Sequence, residues 1–222
     1  MIEKIKTFKL SPSSLSLMEE CPRCFWLTKH GIWKRPEVIF PSLPSGMDRI
    51  LKRHFDRFIA RKMMPPELRE NPECFGCRLF GDIELLKKWR NEKSGITWQD
   101  SEGNIFHGAI DNLLVKGKKL IVLDYKTRGY APKEDTSKSY QNQLDCYNFL
   151  LRKNGYDTED YSLLLFYYPR EVLETGEVIF DTQLVKMKVD VENAEKLFDK
   201  AIRLLNGPCP EEGCEWCKLI KF

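Results

Sequence analysis

The chain has 222 residues, 42% of them hydrophobic and 31% charged, which is the composition of a globular protein with a sizeable core. Its length suits one domain with an appendage better than two independent domains, and its net charge of +3 is too small to indicate a nucleic-acid partner by itself. No apolar run approaches the roughly 18–20 residues that cross a bilayer, and the N-terminus lacks the apolar core of a signal peptide, so we expect a cytoplasmic protein without a membrane partner.

Apolar spacing and turn residues predict helices at both ends of the chain and strands in its middle. One predicted helix begins at Ser11, and the others span 45–62, 83–89, 137–152 and 191–205. The predicted strands span 96–99, 105–115, 120–127, 161–168 and 178–189, and the Pro-rich stretch 63–77 is predicted to be a loop. This order predicts an α/β fold, in which a central mixed β-sheet is flanked by helices.

The predicted helix 45–62 carries a basic cluster, which consists of Arg49, Lys52, Arg53, Arg57, Arg61 and Lys62. Phosphate groups attract such patches. A solvated helix face is the simpler interpretation of the charge alone.

Two aspartates and a lysine lie on either side of a predicted turn. Asp111 comes six residues before Gly117 and Asp124 seven residues after it, so antiparallel pairing of the two strands brings the carboxylates together. Asp124 and Lys126 share one strand face, whereas Tyr125 faces away. Carboxylates suit Mg²⁺ or Mn²⁺, and a neighbouring lysine orients water or neutralises developing charge. Alone, however, Asp-x-Lys is more often an exposed ion pair on an edge strand.

The order of motifs around these residues resembles the RecB-like branch of the PD-(D/E)XK nucleases. In that branch Gly-x-x-Asp, here Gly108 to Asp111, precedes a strand with (D/E)-x-K, here Asp124 to Lys126. A helix with Gln-x-x-x-Tyr follows, here 143–147, and its two polar side chains share one helix face.

The resemblance implies a restriction-endonuclease-like core that hydrolyses DNA phosphodiesters with Mg²⁺ or Mn²⁺. The roles that it implies are catalysis by Asp111, Asp124 and Lys126, metal binding by Asp111, Asp124 and the Tyr125 carbonyl, and DNA binding by Gln143 and Tyr147. For the last two residues, a phosphate contact and a base stack are the expected interactions.

The third protein ligand of the metal is the weakest match to the family. The family places a histidine four residues after a glycine on an N-terminal helix, but four residues after Gly46 this chain has Ile50. His54, one turn further, and His107, four residues before Asp111, are the two candidates. Each histidine is equally compatible with a structural role.

The eight cysteines need a role other than disulfide formation, because reducing compartments keep thiols reduced. We expect Cys146 to be a core residue, and Cys74 and Cys77 to be ordinary buried thiols. The remaining five have the spacing of metal or cluster ligands, namely Cys21, Cys24, Cys209, Cys214 and Cys217.

The cysteines extend the resemblance to an iron–sulfur branch, which includes AddB-type helicase-nucleases and the small CRISPR-associated nuclease of spacer acquisition. There, one N-terminal and three C-terminal cysteines hold a [4Fe–4S] cluster, and the matching residues here are Cys21, Cys209, Cys214 and Cys217. The resemblance implies a single domain, 1–222, in which segments of about 11–62 and 206–222 form a helical, cysteine-bound cap. Spacing alone is equally typical of zinc, which the pairs Cys21/Cys24 and Cys214/Cys217 would bind.

The sequence therefore predicts a metal-dependent DNA nuclease that acts on single-stranded DNA or DNA ends in recombination, repair or CRISPR spacer acquisition. Its expected partners are DNA and other repair or CRISPR adaptation proteins. One alternative is a non-catalytic DNA-binding or scaffold subunit that retains the nuclease fold. Another is a zinc-ribbon interaction protein in which Asp124 and Lys126 are incidental.

Overall fold

The computed structural model describes residues 6–36 and 42–220. The helices are α1 (Pro12–Glu20), α2 (Pro22–Lys29), α3 (Ser42–Ala60), α4 (Pro66–Arg69), α5 (Ile83–Trp89), α6 (Gln141–Lys153) and α7 (Val191–Asn206). The strands are β1 (Lys9–Leu10), β2 (Cys77–Leu79), β3 (Ile96–Gln99), β4 (Ile105–Gly108), β5 (Asn112–Lys116), β6 (Lys119–Thr127), β7 (Tyr161–Val172) and β8 (Val178–Lys188).

A mixed sheet with the strand order β2-β5-β6-β7-β8 forms the centre of the fold. Its neighbouring strands are antiparallel except β6 and β7, which are parallel and are connected through α6. A smaller sheet, β1-β4-β3, adjoins it. The hairpin between β5 and β6 turns at Gly117, whose φ of +58° lies in the left-handed region that glycine adopts without a steric penalty.

The side chains of the central strands alternate between two hydrophobic clusters, one on each face of the sheet. Leu113, Val122 and Leu164 pack with α1, α6 and α7. Leu114, Ile121 and Leu165 pack with α3 and α4. The sheet is thus covered by helices on both faces, which confirms the predicted α/β class. The structure places α3, which the sequence assigned to the cap, against the sheet.

The single strand predicted over 105–115 is wrong, because the chain leaves one sheet and joins the other at 109–111. The backbone in this break bonds to the end of α5 instead of to a strand. The Ile110 amide donates to the Trp89 carbonyl at 3.1 Å, and Arg90 Nε donates to the Asp111 carbonyl at 2.6 Å. The strand-like composition of 105–115 does not reveal such a change of partner.

Two further differences concern short elements. The stretch 63–77 was predicted to be a loop, but it contains α4 and the start of β2. The predicted helix 137–152 begins with a 3-10 turn over Thr136–Tyr140 before α6. Within the described residues, no helix combines the length and the apolarity that crossing a membrane requires.

Candidate active site

The register of the hairpin brings the two predicted carboxylates together. Asn112 of β5 pairs with Leu123 of β6, so the next residue of each strand, Asp111 and Asp124, lie opposite each other where the pairing ends. Both continue the rows of side chains that face α6, as the alternation of strand residues requires. Tyr125 faces the opposite cluster, as predicted, and its ring stacks on Phe55.

Two lysines neutralise these carboxylates. Lys126 Nζ lies 2.6 Å from Asp124 Oδ2, and Lys52 Nζ, from α3, lies 3.2 Å from Asp111 Oδ1. Burial and the charge of Asp124 raise the pKa of Asp111 to about 7. Burial alone would lower the pKa of Lys126, but Asp124 and Asp111 outweigh it, and the net shift is upward. The paired charges hold both lysines protonated.

The chemistry of the donor set fits a hard divalent cation. Asp124 is 1% exposed and is paired with Lys126, whose Nζ lies 2.6 Å from its Oδ2, and Asp111 lies opposite it. Two carboxylate oxygens at one strand end are the ligand type that Mg²⁺ and Mn²⁺ prefer.

Residues that the sequence analysis did not assign to the site come from α3 and the end of α5. Lys52 also donates to Asp48 Oδ2 at 2.8 Å, and Arg90 links the Asp111 carbonyl to Asp56, whose Oδ1 is 2.7 Å from Nη1. The ion pair between Asp48 and Lys52 could have been predicted from the sequence, because the two residues are four apart on a helix. Their proximity to Asp111 depends on how α3 packs on the sheet, which the sequence does not show.

The two candidate histidines differ in position. His54 pairs with Glu67 through Nε2 and Oε1 at 2.9 Å and lines a separate groove. His107 lines the same cleft as Asp111 and Asp124, and its buried Nδ1 has no hydrogen-bond partner in the described part of the chain. Burial, followed by the charges of Lys9 and Lys29, lowers the pKa of His107 to about 4, which keeps the ring neutral at neutral pH.

The Gln-x-x-x-Tyr helix contacts the site differently from the expectation. Gln143 Nε2 donates to the Tyr147 hydroxyl at 2.6 Å and lies 3.5 Å from Asp124 Oδ1. The Tyr147 ring lines the cleft but is only 5% exposed, so it presents little surface to a base in this arrangement, and the base stack stays a prediction. The ring packs on Gly108, where an added Cβ would lie 2.9 Å from two ring carbons. The glycine of Gly-x-x-Asp and the tyrosine of the helix are therefore packing partners.

The carboxylates, the two lysines, His107 and Gln143 line one open cleft of about 880 Å³. Its walls come from α1, α3, β4, β6 and α6, and its floor carries the ends of the two central strands. Such a cleft admits an extended polar ligand to the carboxylate pair.

A second cluster of potential metal ligands lies at the junction of the chain's ends. It consists of Cys21, Cys24, Cys214 and Cys217, whose sulfur atoms all lie within 4.8 Å of one another. Among the described residues, it is the group of three or more His, Cys, Asp or Glu side chains that is close enough to share one metal ion. We call it the cysteine group. These are the four cysteines whose spacing is typical of a zinc site. The set that the family resemblance implied for a [4Fe–4S] cluster has Cys209 instead of Cys24. Cys209 lies outside it, with its Sγ 3.7 Å from the Pro210 carbonyl.

The other cysteines are part of the hydrophobic packing. Cys146 is fully buried in the cluster beneath α6, which confirms it as a core residue. Cys74 is buried in the cluster on the opposite face, and Cys77 packs against that cluster while remaining half-buried.

Comparisons with known proteins agree with this architecture. The family model of the PD-(D/E)XK nuclease superfamily matches residues 44–221, a span that includes every strand of the central sheet and the acidic residues at its strand ends. No curated protein matches the chain. One similar solved structure is the crystal structure of SSO0001, which shares 13% identity at a TM-score of 0.45, over 91% of this chain and 79% of that chain. Since the superfamily match covers most of the chain, including its central sheet and the Asp-x-Lys strand, the chain belongs to the PD-(D/E)XK nuclease superfamily.

Proposed function

We propose that the protein is a metal-dependent DNA nuclease of the RecB-like branch, and that Asp111, Asp124 and Lys126 are its catalytic residues. The observation that carries the proposal is the meeting of a buried and a half-buried carboxylate with a lysine, at the point where the pairing of two adjacent strands ends, in a chain of this superfamily. Asp111, Asp124 and the Tyr125 carbonyl would hold Mg²⁺ or Mn²⁺, and His107, which lines the same cleft, would assist them.

The chain's own residues account for most of what hydrolysis requires. A bound divalent cation polarises the phosphate and lowers the pKa of its water. Lys126, held protonated beside Asp124, would position the attacking water and neutralise charge that develops on the phosphate oxygens. Lys52 would provide a second positive charge at Asp111. Gln143 would orient Asp124 through its amide, and Tyr147 would hold Gln143 in turn.

A row of arginines supports DNA as the substrate. Arg49, Arg53, Arg57 and Arg61 follow one another at four-residue spacing, and all four are exposed. Among the described residues, no carboxylate lies within ion-pair distance of any of them, whereas Lys52 on the same helix extends into the cleft. A polyanion that binds along this row would lie against the same helix that carries Lys52 into the cleft.

The non-catalytic alternative requires that the acidic pair has lost its function. A buried aspartate costs desolvation even when a lysine is paired with it, so a chain that only binds DNA would have little reason to keep Asp124. We extend the proposal to recombination, repair or spacer acquisition, in which other DNA-processing proteins would act on the same substrate.

The experiment is a cleavage assay on end-labelled single- and double-stranded DNA with Mn²⁺, with Mg²⁺ and with chelator. We expect cleavage that requires the cation and that falls with rising salt. Replacing Arg53 and Arg57 by Ala should weaken DNA binding and reduce its salt dependence, whereas replacing the exposed Lys196 and Lys200 of α7 is the matched control. DNA binding without cleavage under every cation would favour the scaffold alternative.

A further inference from the structure

The cysteine group joins residues from opposite ends of the chain at short sulfur–sulfur distances. Cys21 Sγ lies 3.7 Å from Cys217 Sγ, which is 196 positions away in the sequence. Cys24 Sγ lies 3.4 Å from Cys214 Sγ, and Cys214 and Cys217 are 3.9 Å apart. With all four sulfurs within 4.8 Å of one another, the group is a compact cage and not two separate pairs.

Local structure on the N-terminal side fixes two of the sulfurs. Cys21 ends α1 and caps α2, and its Sγ accepts a hydrogen bond from the Cys24 amide at 3.4 Å. Cys24 lies in the first turn of α2 and is fully buried. The Cys-x-x-Cys spacing therefore places both thiols at one helix N-terminus, pointing towards the C-terminal segment.

The C-terminal segment is held to α2 by polar contacts and has little apolar burial of its own. Arg23 Nη1 donates to the Pro210 carbonyl at 2.9 Å, and Trp26 Nε1 donates to the Gly207 carbonyl at 3.0 Å. Gly213 leaves the space that Cys217 occupies, because a Cβ there would lie 2.6 Å from the Cys217 sulfur. The segment is thus shaped to bring the third and fourth sulfurs to the first two.

The dimensions of this cage distinguish one metal ion from a cluster. A tetrahedral site with Zn–S bonds of about 2.3 Å has sulfur–sulfur distances of about 3.8 Å. Three of the six distances in the cysteine group are 3.4, 3.7 and 3.9 Å, and all six are within 4.8 Å. In a [4Fe–4S] cluster each thiolate binds a different iron, so the whole cluster separates the thiolates. Four sulfurs within 4.8 Å leave no room for it. The cysteine group therefore does not fit the cluster that the family resemblance implied.

We propose that Cys21, Cys24, Cys214 and Cys217 bind a single Zn²⁺ ion in a closed tetrahedral site, and that Cys209 is not a ligand. Four protein ligands leave no open position, which is the arrangement of a structural zinc site. Arg35 contributes a positive charge beside the thiolates, with Nη2 3.6 Å from Cys214 Sγ, and Glu20 holds it there at 2.7 Å from Nη1. The ion would fasten the C-terminal segment to α1 and α2.

Two matched cysteine variants test both the metal and its ligands. Wild type, Cys24→Ser and Cys209→Ser are purified without oxygen, and zinc and iron are measured per chain by plasma mass spectrometry. We expect about one zinc and no iron in the wild type, loss of zinc in Cys24→Ser, and full zinc in Cys209→Ser. About four irons per chain, or metal that survives in Cys24→Ser and is lost in Cys209→Ser, would overturn the proposal.

X-ray absorption needs only the wild-type protein, so it tests the proposal even if a cysteine variant does not fold. We expect a zinc edge with four sulfur neighbours at about 2.3 Å and no metal–metal scattering. An iron edge with neighbouring irons, or absence of bound metal in protein whose two ends stay resistant to protease, contradicts the proposal. Neither readout depends on DNA cleavage, so this inference and the proposed function fail or hold separately.

Discussion

Asp111 and Asp124 are brought together by the register of one hairpin, whereas Cys21 and Cys217 are brought together across 196 positions by the packing of the chain's ends. In the first region, backbone hydrogen bonds and two hydrophobic clusters fix the functional side chains, and the buried charges lower the stability of the fold. In the second, apolar side chains of α1 and α2 pack around the cysteines, but the C-terminal segment itself contributes few, and the proposed metal would hold that segment in place. The two sites should therefore respond in opposite ways when a functional side chain is removed. Removing a buried charge should stabilise the fold, whereas removing a cysteine ligand should destabilise it.

The largest effect that we expect comes from removing a cysteine ligand. Cys217→Ala should eliminate metal binding and lower the free energy of unfolding by several kcal/mol, since a structural metal contributes most of the order of its segment. Limited proteolysis should then cut the C-terminal segment first. Cys77→Ala is the matched control, because this half-buried thiol lies outside the cysteine group. Equal resistance of the two variants would show that packing alone holds the ends.

The second effect is a loss of DNA cleavage when an active-site lysine is removed, and it should leave the cysteine-bound cap unchanged. Lys126→Ala removes the charge beside Asp124 and should lower the cleavage rate by about 10²–10³-fold, while the metal content of the cysteine group remains that of the wild type. Rates are measured in single turnover with saturating Mn²⁺. Lys138→Ala, an exposed lysine ahead of α6, is the control. A cleavage rate for Lys126→Ala equal to that of its control would remove this lysine from the mechanism.

A smaller effect concerns the packing of Tyr147 on Gly108. Gly108→Ala places a methyl group 2.9 Å from the ring, and such overpacking costs about 1–3 kcal/mol. Gly129→Ala is the control, because nothing lies within 4 Å of a Cβ there. Chemical denaturation of both variants measures the difference. Equal stabilities would mean that the tyrosine ring moves freely, and would favour its predicted contact with DNA.

A further effect is a pH dependence of stability that arises at Asp111 in the carboxylate site. The pKa of Asp111 is raised from 3.8 to about 7, so between these values the native state binds the proton more strongly than the unfolded state. Without added divalent cations, stability should fall as the pH rises through this range, and Asp111→Asn should lack the decrease. Melting temperatures of both proteins at pH 5 and 8 test this. Parallel changes in the two proteins would contradict the assignment.

The sequence was sufficient where local periodicity decides the structure. Alternation along 120–127 placed Asp124 and Lys126 on one face, and the turn at Gly117 set the register that joins Asp111 to them. It was insufficient where the partner lies far along the chain. The change of sheet before Asp111 and the reach of Lys52 from α3 depend on packing between distant segments. The same packing decides between Cys24 and Cys209, both of which the spacing had offered as ligands. Likewise, helical spacing placed Gln143 and Tyr147 on one face but did not show that the ring would be buried.

The most direct test of the central claim is the Mn²⁺ dependence of DNA cleavage by the wild type and by Asp124→Asn. This variant keeps the shape of a buried side chain but removes the charge that a cation would need, and Asp199→Asn, an exposed change on α7, is its control. We expect wild type and control to cleave with Mn²⁺ and Asp124→Asn to be slower by at least about a hundredfold at every Mn²⁺ concentration. Cleavage by folded Asp124→Asn at the wild-type rate would contradict the assignment of the active site.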